Sequence, residues 1–280
     1  MVRDPGGLYV DATLGLGGHS EAILARLQGG RLLGVDLDPE TLSLASNRLK
    51  SESSAFRAVS GNFRTLGQIL ERERFFPLNG VLFDLGISSL HFDKPSRGFS
   101  FSKEGPLDMR LSPENPLTAE AIVNRWPEEQ LTMLFKEFGE EPAAQRIARA
   151  IIHARARKPI LTTTGLASVI EEVVPRTGGT HPATRTFMAL RIAVNAELEN
   201  LTRGLEGVLP FLRQGGRIAV ISFHSLEDRI VKHLFASFVS QGVCRLLPRQ
   251  HGNAPLRPSD REVKENPRSR SAKLRIVEKL

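Results

Sequence analysis

The sequence predicts an α/β fold in which helices cover both faces of a parallel sheet. Over the first ninety residues, short apolar segments alternate with segments of helical periodicity, and this alternation is typical of a parallel sheet. SEAILARL places Ile23, Leu24 and Leu27 on one helical face, and the second helical segment, PETLSLASNRLK, opens with a proline, as first helical turns often do. The predicted strands are LYVDAT, RLLGVDLD, AFRAVSGNF and GVLFDLGI.

Between about residue 106 and residue 184, a helical pattern interrupts the alternation of strands and helices. No convincing strand is found there, and apolar side chains recur at helical spacing. The helical segments are EEQLTMLFKEFG, AAQRIARAIIHARARK and TGLASVIEEVV. We therefore predict a discontinuous α/β domain, residues 1–105 and 185–280, interrupted by a helical insertion domain at 106–184.

The α/β pattern resumes after the insertion. RIAVNAELENLTRGLEGVL predicts one helix, GGRIAVISF a buried strand and LEDRIVKHLFASF a further helix. The tail from Gln241 is rich in arginine and proline, and only SAKLRIVEKL within it has the pattern of a strand. No internal repeat is found.

Composition argues against a membrane protein and a disulfide-rich protein. The chain has 280 residues, a 40% hydrophobic share and a formal charge of +7. Its longest apolar runs are far too short to cross a bilayer, and no charged-then-apolar leader opens it. The single cysteine, Cys244, allows no internal disulfide and no cysteine cluster, so we expect a reduced, cytoplasmic location and no membrane. The basic surplus favours an anionic partner such as nucleic acid.

The glycine-rich turn DATLGLGGHS is the first candidate for chemistry. An acidic residue is followed by Thr13, Gly15 and Gly17 at alternate positions, between a predicted strand and a predicted helix. Asp36 ends the second strand, where a carboxylate can accept hydrogen bonds from both hydroxyls of a ribose. Asp84 ends the fourth strand and would face the crevice beyond the strand ends. NAD and S-adenosylmethionine both contain such a ribose, so these residues alone leave either cofactor open.

Longer motifs along the chain resemble those of the RsmH/MraW family of bacterial ribosomal RNA methyltransferases. The resemblance extends from about Leu8 to Leu280 and is most specific in the later motifs. The motifs are DATLGLGGHS, GVDLDP, GNF, FDLGISS, RGFSFSKEGPLDMR, HPATRTFMALRIAVNAEL, ISFHSLEDRIVK and ENPRSRSAKLR. It implies a class I (Rossmann-like) fold and transfer of a methyl group from S-adenosylmethionine to the exocyclic N4 amine of a decoding-centre cytidine in 16S rRNA of the small ribosomal subunit.

The resemblance also implies a set of cofactor-binding residues. His91 is the weakest match among them, since the family often has glutamine at that position. The implied residues are Gly17, Gly18, His19, Asp36, Phe63, Asp84 and His91. Members usually begin with a longer segment carrying a His-x-Pro-Val-Leu-like motif, whereas eight residues precede Tyr9 here. Either the chain is truncated or this start is unusual, and the completeness of the pocket, and so activity, depends on which of the two holds.

Methyl transfer to a cytosine amine needs an acceptor for the amine protons, because the nitrogen lone pair is conjugated with the ring. Asp84, with the carbonyl groups of Leu85 and Gly86, is the candidate catalytic group. The Asp/Asn-Pro-Pro-aromatic motif of many amino-methyltransferases is absent, so the stacking aromatic must lie elsewhere. The candidates for it are Phe92, Phe99 and Phe101. Methylation at cytosine carbon 5 would instead need a thiolate, and Cys244 lacks the expected sequence context.

Four residues are predicted to bind the RNA substrate. On the second insertion helix, basic residues follow one stripe at spacings of three and four. The predicted substrate-binding residues are Arg146, Arg149, Arg157 and His224. His153 also lies on the stripe. Without the family resemblance, a solvated basic face is the favoured interpretation, and an RNA substrate makes the stripe a phosphate-binding surface. Ser225 and Asp228 have the pattern of a helix cap and its partner, and no set of residues has metal-ligand spacing.

Two other functions stay open at this point. An NAD-dependent oxidoreductase would share the fold, and a non-catalytic RNA-binding assembly factor would share the basic surface. Differential binding of NADH and S-adenosylmethionine separates the first from a methyltransferase, and turnover separates the second. The oligomeric state is left open by the sequence.

Overall fold

The computed structural model describes residues 1–52, 54–176, 179, 181–247 and 254–280. The chain folds as two compact units. We call Met1–Gly86 with Leu198–Leu280 the sheet unit, and Ile87–Glu197 the helical unit. The residues of the tail at 248–253 lie outside the described part of the chain. No helix within the described residues is both long and apolar enough to cross a bilayer.

Among the described residues, the sheet unit is built on seven strands in the order β3-β2-β1-β4-β5-β7-β6. They are β1 Leu8–Asp11, β2 Arg31–Asp36, β3 Phe56–Ser60, β4 Leu78–Asp84, β5 Leu212–Ser222, β6 Cys244–Leu247 and β7 Lys273–Lys279. The first five run parallel, while β7 is antiparallel to both β5 and β6. The order 3-2-1-4-5 of the parallel strands is that of a Rossmann-like, doubly wound sheet, so the predicted α/β fold is confirmed, and the sheet is mixed rather than wholly parallel.

Successive side chains along the strands pack into two hydrophobic cores, one on each face of the sheet. Tyr9 and Leu32 are buried on one face of the sheet, and their neighbours Val10 and Leu33 are buried on the other. This alternation follows from the two-residue repeat of a strand. The helices of this unit are α1 Gly18–Leu24, α2 Pro39–Glu52, α3 Leu66–Glu73, α10 Glu197–Val208, α11 Ser225–Ser240 and α12 Asp260–Glu265.

The helical unit has one core of its own. Phe135, Ile147, Leu166 and Leu190 are fully buried in it, each from a different helix. Its helices are α4 Ser89–Asp93, α5 Ala119–Arg125, α6 Glu128–Glu137, α7 Ala144–Arg157, α8 Thr163–Val173 and α9 Ala183–Asn195. The three helical segments predicted within the insertion are confirmed as α6, α7 and α8.

The unit boundaries differ from the predicted domain limits. The division falls between Gly86 and Ile87 and between Glu197 and Leu198, whereas the sequence placed it at 105/106 and 184/185. Residues 87–105 and 185–197 pack instead with the helical core, through Phe99 and Leu190 among others. The change in periodicity at Pro106 marked the start of the clear helices rather than the start of the unit.

The prediction of a single helix over RIAVNAELENLTRGLEGVL is wrong, because the segment forms two helices separated at Ala196. Ala196 has a φ of 49° and ends α9 in the left-handed conformation. The buried side chain of Asn195 donates to the carbonyl of Met109 at 2.8 Å and accepts from the amide of Leu111 at 2.9 Å. Those bonds fix the end of α9 and offset the cost of a non-glycine residue with positive φ.

Candidate active site

The candidate site lies where the direction of strand addition reverses. β1 pairs with β2 on one side and with β4 on the other. In open α/β sheets, ligands bind beyond the carboxyl ends of the strands at this switch point. The strands there end in three carboxylates, Asp11 on β1, Asp36 on β2 and Asp84 on β4.

The glycine-rich turn connects β1 to α1 beside these carboxylates. Gly17 has a φ of 82° and precedes the first turn of α1, and a Cβ added there would lie 2.8 Å from Leu49 Cδ1. Glycine is therefore required at position 17 by both conformation and packing. A Cβ added at Gly18 would meet nothing within 4 Å, so the backbone there faces open space.

Asp36 holds the turn in place. Its Oδ2 accepts the amide of Gly15 at 2.6 Å and its Oδ1 accepts the amide of Asp38 at 2.9 Å. Burial raises the pKa of Asp36, although both backbone hydrogen bonds oppose that rise. Each carboxylate oxygen can accept a second hydrogen bond, so the predicted contact with ribose hydroxyls is compatible with this arrangement. That contact stays a prediction.

Asp11 belongs to the site and was passed over as a functional residue in the sequence. Its Oδ2 accepts the Ser20 hydroxyl at 2.8 Å and its Oδ1 accepts the amide of Thr13 at 3.3 Å. The residue is 1% exposed, and burial raises its pKa to about 6. A strand-end acid nine residues before a serine in the next helix is the only sequence signal, and it is a weak one.

The backbone of Asp84 is held by hydrogen bonds, whereas one of its two carboxylate oxygens has a polar neighbour and the other has no hydrogen-bond partner among the described residues. Its amide donates to the Thr13 hydroxyl oxygen at 2.6 Å, and the next amide, that of Leu85, donates to the carbonyl of Ile221 at 2.9 Å. Oδ2 lies 3.4 Å from Nε2 of His19. Oδ1 is buried and has no hydrogen-bond partner among the described residues. A buried carboxylate oxygen without a partner is costly and indicates a ligand.

His19 and Phe63 complete the part of the predicted set that lies in the sheet unit. The His19 side chain is 52% exposed, and the hydrogen bond to Asp84 raises the pKa of its imidazole. Phe63 follows β3, is half-buried and packs edge-on against Phe83 with ring centroids 5.7 Å apart. A Cβ added at Gly204 would lie 2.9 Å from the Phe63 ring, so α10 approaches Phe63 closely only because a glycine is there.

His91 lies in the helical unit. It is buried, and its Nδ1 accepts the amide of Ser88 at 3.1 Å in the capping box of α4. Its ring packs edge-on against Phe99. The structure therefore gives His91 a local role at a helix start, and its role toward a cofactor stays a prediction.

The three candidate stacking aromatics also lie in the helical unit and differ in exposure. Phe99 is buried in the core of that unit, and Phe101 stacks on His181 with centroids 4.3 Å apart. Phe92 is 42% exposed. Phe92 is therefore the most exposed member of this set, and stacking on the target base stays a prediction for all three.

His224 occupies a different position from the one its motif predicted. It is itself the N-cap of α11, and Nδ1 accepts the amide of Glu227, whose carboxylate in turn accepts the amides of Phe223 and His224. The prediction of a Ser225 cap with Asp228 as its partner is wrong. Asp228 instead pairs with Arg275 and Lys273 on β7. Binding of substrate by His224 stays a prediction.

The basic stripe on α7 is exposed, and the opposite face of that helix is buried. Ile147, Ala148 and Ile151 lie in the core, and all three predicted arginines of the stripe are exposed. Arg149 donates to Glu128 at 2.9 Å, whereas Arg146 and Arg157 have no carboxylate partner within the described ranges. Those two arginines are the cations of the stripe that are available to an anion.

Comparison with known proteins agrees with this geometry. The model of the MraW methylase family matches residues 1–280. The ribosomal RNA small subunit methyltransferase H of Dehalococcoides mccartyi is 50% identical, and the match covers 99% of this chain and 82% of that protein. The protein of the same name from Halothermothrix orenii is 46% identical, with 98% and 93% covered.

Solved structures align more distantly. An rRNA methylase from Streptococcus thermophilus aligns with a TM-score of 0.46 at 14% identity, over 99% of this chain and 89% of that one. The sequence relatives and the family match carry the assignment. The chain belongs to the MraW methylase family, and it is a methyltransferase that uses S-adenosylmethionine.

Proposed function

We propose that this protein methylates the exocyclic N4 amine of a decoding-centre cytidine in 16S rRNA of the small ribosomal subunit. The relatives named above are small-subunit rRNA methyltransferases, which supports the substrate class. The observation that carries the chemistry is Oδ1 of Asp84, a buried acceptor without a partner among the described residues at the switch point of the sheet. Membership of a methylase family excludes the nicotinamide oxidoreductase alternative.

The residues at the switch point fit the cofactor. Asp36 is placed for the ribose, the open backbone at Gly18 leaves room for a ligand, and the three strand-end carboxylates favour a cationic group. S-adenosylmethionine supplies a methyl group on a positively charged sulfur. The role of the protein is therefore to hold the amine in line with that methyl group and to exclude water.

Asp84 gives the amine its orientation and removes its proton. A hydrogen bond from an amine N–H to the Asp84 carboxylate would orient the nitrogen and increase its electron density, and the lone pair would leave conjugation with the ring as the nitrogen becomes tetrahedral. Once the nitrogen has accepted the methyl group that the bound cofactor would supply, its surplus proton would pass to the Asp84 carboxylate. The carbonyl groups of Leu85 and Gly86 are the second candidate acceptors.

We infer that the α7 stripe binds the RNA backbone. Arg146 and Arg157 are exposed and have no ion-pair partner among the described residues, while the apolar face of the helix is anchored in the core. A rigidly held helix with available guanidinium groups suits phosphate oxygens, which match the guanidinium fork. Such contacts would help offset the few kcal/mol that unstacking the target base costs. Substrate recognition by the helical unit is part of this proposal.

The test is mass mapping of methylated nucleosides in 16S rRNA after incubation of unmethylated small subunits with S-adenosylmethionine and the purified protein. We expect one N4-methylated cytidine with the wild-type protein and none with Asp84→Ala. Binding of S-adenosylmethionine without any methylated nucleoside would favour the non-catalytic assembly factor. A methyl group on cytosine carbon 5 would refute the amine mechanism.

A further inference from the structure

We propose that His19 is a positioning residue for Asp84: its imidazole lies against one carboxylate oxygen and fixes the orientation in which the carboxylate meets the target amine. This inference rests on the proposed function and adds a role that cofactor binding does not require. The added role acts on the amine of the target cytidine, through Asp84, and not on the cofactor.

The first support is the unequal environment of the two carboxylate oxygens. Oδ2 of Asp84 lies 3.4 Å from Nε2 of His19, and Oδ1 is buried without a partner in the described part of the chain. A carboxylate free to rotate about its terminal torsion would exchange these oxygens, because that torsion is broad and roughly two-fold. A donor on one side removes this freedom.

The second support is that hydrogen bonds hold the backbone near His19 and Asp84, whereas the two side chains contact each other. Thr13 accepts the amide of Asp84 at 2.6 Å, and Ser20, directly after His19, is tied to Asp11 at 2.8 Å. β4 and the first turn of α1 are thereby anchored on opposite sides of the pair. The contact between His19 and Asp84 then sets the orientation of the carboxylate.

The charges around His19 agree with this role. Asp84 is the strongest influence on its imidazole, and Asp11 acts in the same direction. Both carboxylates raise the pKa of His19, against the effect of partial burial. The two carboxylates therefore favour the protonated imidazole, whose charge attracts Oδ2.

Three variants test the proposal in the methyl-transfer assay with small subunits. His19→Ala removes the donor, His19→Gln carries an amide N–H to about the same place without titrating, and His233→Ala removes an exposed histidine on α11 as the control. We expect His19→Ala to lower kcat about 10- to 100-fold, on the scale of a misplaced catalytic group. His19→Gln should recover most of that loss, and His233→Ala should match the wild-type protein.

Calorimetry with S-adenosylmethionine separates positioning from cofactor binding. We expect kcat at saturating S-adenosylmethionine to fall in His19→Ala whatever the change in Kd. An increase in Kd of tenfold or more, with kcat at saturation unchanged, would overturn the proposal and leave His19 as a cofactor ligand only. Equal loss of kcat in His19→Ala and His19→Gln would also overturn it. Absence of methyl transfer by the wild-type protein would refute the proposed function itself.

A readout without cofactor or substrate completes the test. The pKa of His19, followed by NMR of the imidazole, should lie above its ordinary value in the wild-type protein and fall in Asp84→Asn. The substitution keeps the shape of the side chain and removes its charge. An unchanged pKa would show that His19 and Asp84 do not interact in solution, and the proposal would be wrong.

Discussion

Replacing Asp11 by asparagine should change how the stability of the protein depends on pH. The carboxyl has a pKa of about 6 in the folded chain, against an ordinary value of 3.8, chiefly because it is buried. Folding therefore favours its protonated form. The stabilising contribution of this group is fully present below about pH 4 and is lost as the pH rises through 6.

The size of the effect follows from the shift. A change of one pKa unit corresponds to about 1.4 kcal/mol, so a rise from 3.8 to about 6 corresponds to about 3 kcal/mol at neutral pH. Asparagine does not ionise, and its amide oxygen can still accept the hydrogen bond from Ser20. The free energy of unfolding of Asp11→Asn, minus that of the wild-type protein, should therefore increase by about 3 kcal/mol between pH 3 and pH 7.

Urea unfolding followed by circular dichroism at intervals across this range measures that difference. Glu71→Gln is the matched control, since Glu71 is an exposed carboxylate on α3 of the same unit, and its difference from the wild-type protein should stay flat. Parallel curves for Asp11→Asn and the wild-type protein would refute the reasoning, because they would mean that Asp11 ionises as readily in the folded chain as in the unfolded one.

Three further predictions concern cofactor, reaction type and RNA. Asp36→Ala should weaken S-adenosylmethionine binding by about 1–3 kcal/mol, measured by calorimetry, because hydrogen bonds to a charged acceptor are lost; unchanged affinity with an intact fold would remove Asp36 from the site. Cys244→Ser should keep most activity and still yield an exocyclic N-methyl product by mass spectrometry, since Cys244 is a buried residue of β6; loss of turnover together with a 5-methyl product would contradict this. Replacing Arg146 and Arg157 with alanine should flatten the salt dependence of RNA binding by about 1.4 units, at about 0.7 for each contact. The control for this pair is Arg125→Ala, at an exposed position of α5. If the variant lacking Arg146 and Arg157 keeps the salt slope of the wild-type protein, the stripe is only a solvated face.

The sequence was sufficient for the first half of the sheet because local pattern decides those elements. β1 to β4 are short apolar segments, and their order along the chain matches the predicted alternation. The strand-end position of Asp36 and Asp84 followed directly, since the carboxyl ends of parallel strands meet at one edge. Helices of the insertion were equally clear, because each has an apolar stripe facing a core.

The features that the sequence did not predict depend on distant contacts. The break at Ala196 is determined by bonds from Asn195 to residues 109 and 111, which helical periodicity does not record. β6 has four residues and exists through its pairing with β7. The role of His224 as a cap was missed because histidine is an unusual N-cap residue, and the serine beside it was the stronger signal.

The way the sheet unit is assembled from two distant parts of the chain also bears on its synthesis. β4 is synthesised after β1, its neighbour on one side, but its other neighbour, β5, follows only after the whole of Ile87–Glu197. At about 5–20 residues per second that interval lasts roughly 5 to 20 s. During it, β4 has one edge unpaired, and Val81 and Phe83 lack the contacts that bury them in the finished protein. Unpaired edges of this kind are sites of aggregation. The nascent chain is therefore most vulnerable while the insertion is being made, and a pause in translation within residues 87–197 would prolong that exposure.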